Sequence, residues 1–139
     1  FSTQAQLNQI ATNESDITVL QGKVGQANVE DTTLGAFSSA ALTQIPGLSL
    51  DAPNDGDFVC YIGIGYTSNQ NVEINIAVAV NGALVLNSGL PNRTQKKVPV
   101  SAQNIVKLDG LSSGDTVTIF ANTDSDTINI SIGKITLWQ

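Results

Sequence analysis

Every second residue from Val72 to Val80 is a β-branched aliphatic (Val72, Ile74, Ile76, Val78 and Val80), with Glu73, Asn75, Ala77 and Ala79 in the alternate places. Strict alternation sends the two sets to opposite faces of an extended chain and smears both around a helix. The run therefore predicts a strand with one buried face. Asn81-Gly82 follows at once, and both residues accept the positive φ of a two-residue hairpin turn, so the next residues, "ALVLN", should return as the partner strand. The same texture continues on both sides. From Thr32 to Gln139 short β-prone runs are separated by "DAPNDGD", "TSNQN", "SGLPN", "LSSGD" and "NTDSD", clusters of the residues that turns need. This is the signature of an all-β sandwich.

Two later runs add detail. Val117 and Ile119 alternate with Thr116 and Thr118, and Ile128, Ile130 and Ile132 share one side of the last run. Gly133-Lys134 then moves the apolar parity to Ile135 and Leu137, which predicts a bulge or bend at Gly133. Trp138 and Gln139 sit directly on this run, so the final segment is expected within the sheet. At 139 residues, 41% of them apolar and 13% charged, the chain has enough apolar surface for one folded domain with a short appendage.

The appendage is the amino-terminal segment, whose period is different. With Ile10 at heptad position a, Asn13 falls at d, Ile17 at a, Leu20 at d, Val24 at a and Ala27 at d, with Gln6 at the preceding d. This 3-4 spacing predicts a coiled-coil seam, and its polar layers, Gln6 and Asn13, point to three chains around an axis. A helix this short is marginal alone in water, so it needs partners or a surface to lie on; Leu7, off the seam, would serve the second arrangement. Gly22 and Gly25 each weaken a helix by about 1 kcal/mol, and from "NVEDTTLG" the period turns to alternation. We accordingly expect a stalk end over residues 1–28 and a β-sandwich knob over 29–139. Met is absent and the chain opens on Phe1, from which we expect a piece of a longer protein.

Catalytic and metal chemistry find little to work with. There is no histidine, which removes Ser-His and Cys-His pairs and His-containing zinc sites. Cys60, the single cysteine, lies in the apolar run "FVCYIGIG", where a buried, inert thiol is expected. Asp51, Asp55, Asp57, Asp124 and Asp126 fall in turn clusters, where carboxylates cap backbone N–H groups; sugar cleavage by a carboxylate pair, or calcium held by Asn122, Asp124 and Asp126, is disfavoured against that role. No enzyme activity, metal or cofactor is expected. The net charge of −6 with six basic residues argues against nucleic acid as partner, and no apolar run has the length of a membrane-spanning helix.

Arg93, Lys96 and Lys97 in "LPNRTQKKVPV" hold half of the basic residues. They either guard an edge strand against aggregation or form a small anion site for a carboxylate or acidic sugar.

In order, "GDFVCYIGIGY", "VEINIAVAVNGALV", "IVKLDGLSSGDTVTIFAN" and "INISIGKITLWQ" resemble the TNF-like jelly roll over roughly residues 33 to 139. The Gly-Asp-Phe opening of a central strand, the strand into Asn-Gly and the Leu-x-x-Gly-Asp-x-Val turn carry the likeness. The resemblance implies a compact homotrimer, commonly set on a trimeric stalk. The scarcity of aromatic residues departs from the animal cytokines, while the Ser/Thr/Asn/Gly-rich texture is similar to phage versions of the fold. A helical stalk ending in such a knob resembles the distal tip of a short-tailed phage's tail needle, or a phage fibre tip. That implies a virion location, contact with a host-surface component, a part in envelope penetration and attachment to the rest of the tail. The alternative is a purely structural trimerisation cap without specific receptor binding.

Overall fold

The structure, a computed structural model, describes residues 3–23, 26–85, 89–93, 97–124 and 126–139, and the side chains of these except for 18–23 and 90–93. A helix, α1 (Gln4–Lys23), precedes ten strands: β1 (Gln26–Asp31), β2 (Gly35–Phe37), β3 (Thr43–Asp51), β4 (Gly56–Ser68), β5 (Glu73–Val80), β6 (Ala83–Leu84), β7 (Leu90–Arg93), β8 (Val100–Leu111), β9 (Thr116–Thr123) and β10 (Ile128–Trp138). One sheet runs β1-β10-β4-β8, with β2 also on β10; the other runs β3-β9-β5-β6, with β7 also on β5. All pairings are antiparallel.

The alternation read in the sequence sets the packing. Ile74, Ile76 and Val78 of β5, with Val117, Ile119 and Ala121 of β9, face Cys60, Ile62 and Ile64 of β4 and Ile128, Ile135 and Leu137 of β10 across one continuous core. Fully burying each such aliphatic side chain is worth roughly 1.5–3 kcal/mol. The hairpin forms where expected. Asn81 (φ 51) and Gly82 (φ 82) make the turn, and Val80 pairs with Ala83.

The parity change in β10 occurs two residues earlier than the glycine suggests. Its register to β4 shifts between Ile130 and Ile132, which turns Ile132 to the outer face. Gly133 serves packing instead. A Cβ there would stand 2.6 Å from Leu34 Cδ1, in the β1–β2 connection, and 2.7 Å from Leu48 Cδ2, on β3 of the opposite sheet, so the glycine permits the close approach of both.

The registers also give the molecule two ends. β1, β4 and β9 run away from the end where β1 opens, while β3, β5, β8 and β10 run back. The turns at 52–55, 81–82 and 112–115 lie at the α1 end. The connections around 69–72 and 97–99 and after Thr123 lie at the far end.

α1 starts with reciprocal capping: Thr3 N–H donates to Gln6 Oε1 (2.8 Å) and Gln6 N–H to Thr3 Oγ1 (3.2 Å). Its described side chains from Gln4 to Ile17 are all exposed, and it makes no more than passing contact with any strand. The described side chains of Gln4 to Ile17 do not pack on the sandwich. Neither α1 nor any other described helix is long and apolar enough to cross a membrane.

Candidate interaction surface

A solvated sheet face is usually polar, and on the β3-β9-β5 sheet Asn75 and Asn122 follow that rule with an amide–amide hydrogen bond of 2.9 Å. The outer face of the β1-β10-β4-β8 sheet does not. β4 is apolar on both sides: Phe58, Cys60, Ile62 and Ile64 point into the core, and Val59 and Tyr61 point out. Register places Val59 opposite Trp138 of β10, and Tyr61 opposite Ile105 of β8. Ile105 is 64% exposed, the most exposed large apolar residue among those described. Together these four make an apolar stripe across three adjacent strands.

Beyond the stripe the face drops into a shallow groove of about 90 Å³ lined by Tyr61, Gly63, Gly65, Ser101, Gln103 and Lys134. The glycines are there for their neighbours. A Cβ at Gly63 would stand 2.5 Å from Tyr61 Oη, and one at Gly65 2.8 Å from Ile132 Cγ2, so both side chains lie flat along the sheet. Lys134 stands opposite Glu30 of β1 in register, and Lys107 pairs with Asp109 at 3.5 Å. The Lys107–Asp109 pair is exposed and adds little stability.

No protein-family model matches the sequence, and no curated protein matches it. Solved structures do. The Eiger TNF of S. frugiperda superposes with a TM-score of 0.57 at 13% identity, covering 84% of this chain and 92% of that one. The globular domain of zebrafish complement 1qA gives 0.52 at 12% identity, covering 83% and 95%. A chain of the T13 IBDV viral particle gives 0.64 at 8% identity, covering 84% of this chain but 31% of its own length. The fold is a TNF-like jelly roll.

On this jelly roll the Arg93 backbone and Lys97 sit at the far end. Arg93 closes β7 opposite Glu73 of β5 in backbone register. Lys97 is exposed, has φ 61, and donates its backbone N–H to Ser68 O at 2.7 Å. Lys96 lies outside the described residues, as does the side chain of Arg93.

Along the expected seam, Ile10 and Ile17 are exposed, Gln6 is engaged in the cap, and Asn13 Oδ1 accepts from Gln9 Nε2 at 2.9 Å. The side chain of Leu20 and all of Val24 lie outside the described residues, and Ala27 belongs to β1.

The carboxylates of the jelly roll's turns hold backbone. Asp55 accepts from Ser113 N–H (2.7 Å), Asp57 from Gly110 N–H (2.8 Å) and Asp115 from Ser112 N–H (2.8 Å), while Asp51 takes the Thr116 hydroxyl (2.9 Å). The Ser112 amide, and next the Asn81 side chain, hold the Asp115 carboxyl below its ordinary range. No group of three or more His, Cys, Asp or Glu side chains placed to hold a metal occurs among the described residues. Burial pushes the Cys60 thiol up to about 12, which keeps it protonated and unreactive.

Sequence reasoning singled out charged and heptad residues and missed the stripe. The signal was in "FVCYIGIG": a strand apolar on both faces needs a cover on both.

Proposed function

We propose that this chain is the homotrimeric, non-enzymatic tip of a phage tail needle or fibre, carried on the virion, which meets the host surface and leads through the envelope. One observation carries the reading. A helix with exposed Leu7, Ile10 and Ile17, in no more than passing contact with any strand, leads into the edge strand of the sheet whose outer face bears Val59, Tyr61, Ile105 and Trp138. Copies joined through the helix would bring that face to one another, and the TNF-like jelly roll supports such packing. Assembly then covers apolar surface that a lone chain leaves in water, so stability depends on protomer concentration.

In this arrangement Ile10, Ile17, Leu20 and Val24 fill the stalk axis with Gln6 and Asn13 as polar layers. Asn13 would exchange its bond from Gln9 for partners across the axis. Arg93, Lys96 and Lys97 would form a weak anion site facing the host, with the Arg93 backbone and Lys97 at the end away from the stalk. The mode of action is mechanical and adhesive, and no cofactor takes part.

Sedimentation equilibrium at micromolar concentration tests the assembly: a trimer mass is expected, and a monomer mass would remove both the stalk and the face from the proposal. Particles carrying a needle truncated before residue 32 test the role. Lost adsorption or penetration supports host contact, whereas intact infection with impaired assembly would make the knob a structural cap.

A further inference from the structure

In an Asn-Gly pair the following nitrogen carries no flanking side chain and reaches the asparagine carboxamide more readily than in any other pair. Asn81-Gly82 is such a pair, exposed, at the α1 end of the sandwich. We propose that Asn81 is a deamidation site that the fold holds off, and that its conversion to a carboxylate opens, one way, the clasp between the β5–β6 hairpin and the turn before β9.

The clasp is built from both ends of the carboxamide. Asn81 Nδ2 donates to Asp115 Oδ1 at 3.0 Å, and Asn81 Oδ1 accepts from Thr116 N–H at 2.9 Å. Asn81 N–H also donates to Thr116 O at 2.8 Å. For reaction, the Gly82 nitrogen loses its proton to solvent base and bonds to Asn81 Cγ. The Cγ–Nδ2 bond then breaks and nitrogen leaves as ammonia after taking up a proton, which closes a succinimide. Water opens that ring at either carbonyl, leaving Asp or its β-linked isomer at position 81. The balance is one water consumed and one ammonia released. While residues 115 and 116 hold both carboxamide atoms, Cγ cannot swing onto the Gly82 nitrogen, so the reaction waits for the clasp to open.

Afterwards the clasp cannot re-form as it was. The donor to Asp115 is gone, and a second carboxylate stands where Nδ2 did. The ionisable groups around it are unfavourable: Asp115 itself, Asp51 through the Thr116 hydroxyl, and Asp109 and Lys107 in the adjoining cleft. Lys107 is already paired with Asp109. That cleft, about 280 Å³ and lined by Val80, Val85, Leu108 and Leu111, adjoins the clasp.

The test is incubation of the whole chain at mildly alkaline pH, folded and in urea, with peptide mapping for Asp and isoaspartate at position 81. Folded protein should convert about tenfold more slowly or less, and Asp115→Ala should speed the folded rate while leaving the rate in urea unchanged. Equal folded and unfolded rates, or an unmoved rate in Asp115→Ala, would overturn the protection. Because Asp115→Ala can loosen the turn by itself, Asn81→Asp is measured beside Asn81→Ser. Asn81→Asp should show the lower urea midpoint at neutral pH, and the gap should close as pH falls through the carboxylate range and both acids take up protons. Equal midpoints at neutral pH would sink the one-way opening.

Discussion

Ile10 and Ile17 stand 51% and 54% exposed on α1, whereas Ile62 and Ile64 of β4 are sealed between the two sheets. The residue type is the same and the outcome is opposite, because each strand residue closes against an opposing sheet of its own chain while the helix has no opposing layer. The sandwich holds itself together. α1 takes from itself a capping box and amide ties at Gln4–Asn8 and Gln9–Asn13, each worth tenths of a kcal/mol, which is the gap that the proposed stalk would fill.

The strongest test of that contrast is inside the sandwich. Ile62→Ala should cost about 2–5 kcal/mol, the loss of transfer energy plus a cavity that the surrounding sheets fill only in part. The urea midpoint should fall without a change in slope. A cost under about 1 kcal/mol would mean that the core is looser than its complete burial implies.

Ile105→Glu probes the boundary between the two regimes. The side chain is exposed in the single chain, so folding should be nearly unaffected, yet a carboxylate in the proposed interface must be desolvated. The proposed trimer's dissociation constant should rise by about tenfold to a hundredfold, about 1.4–2.8 kcal/mol, read as a mass change in sedimentation with unchanged circular dichroism. A trimer as firm as that of the parent chain would take this face out of the interface.

Asn13→Ile asks whether α1 is a seam. Exchanging a polar layer for an apolar one should stabilise the stalk by about 1 kcal/mol while widening the distribution of chain number. A single helix on its own gains nothing from that change, so unaltered helicity at every protein concentration would end the stalk proposal.

What was legible follows the same division. The 72–84 hairpin can be read from sequence because alternation and an Asn-Gly turn are local signals. The glycine at 133 was visible, but its reason, the close approach of Leu34 and Leu48, depends on residues distant in sequence. The bulge accordingly lies before Ile132. Gln6 carried two signals, a heptad d position and the fourth place of a Thr-x-x-Gln capping box, and spacing alone does not choose between them. The apolar face was hidden for a related reason. Val59, Tyr61, Ile105 and Trp138 come from three strands and form a surface only when register sets them side by side.

The smallest effect lies on the other sheet and sharpens what "outer face" means. Between Val117 and Ile119, which point into the core, Thr118 points outward, beside Ala79 of β5 and Ser49 of β3. It is nevertheless only 3% exposed, and its hydroxyl has no hydrogen-bond partner among the described residues. A buried hydroxyl without a partner has surrendered its bonds to water and received none in return. Thr118→Val keeps the branched shape and the strand preference and removes that deficit, so the chain should gain about 1 kcal/mol, measured as a higher urea midpoint at unchanged sedimenting mass. A lower midpoint would mean that the hydroxyl is bonded in solution, and that this outer face is more open to water than the apolar stripe opposite.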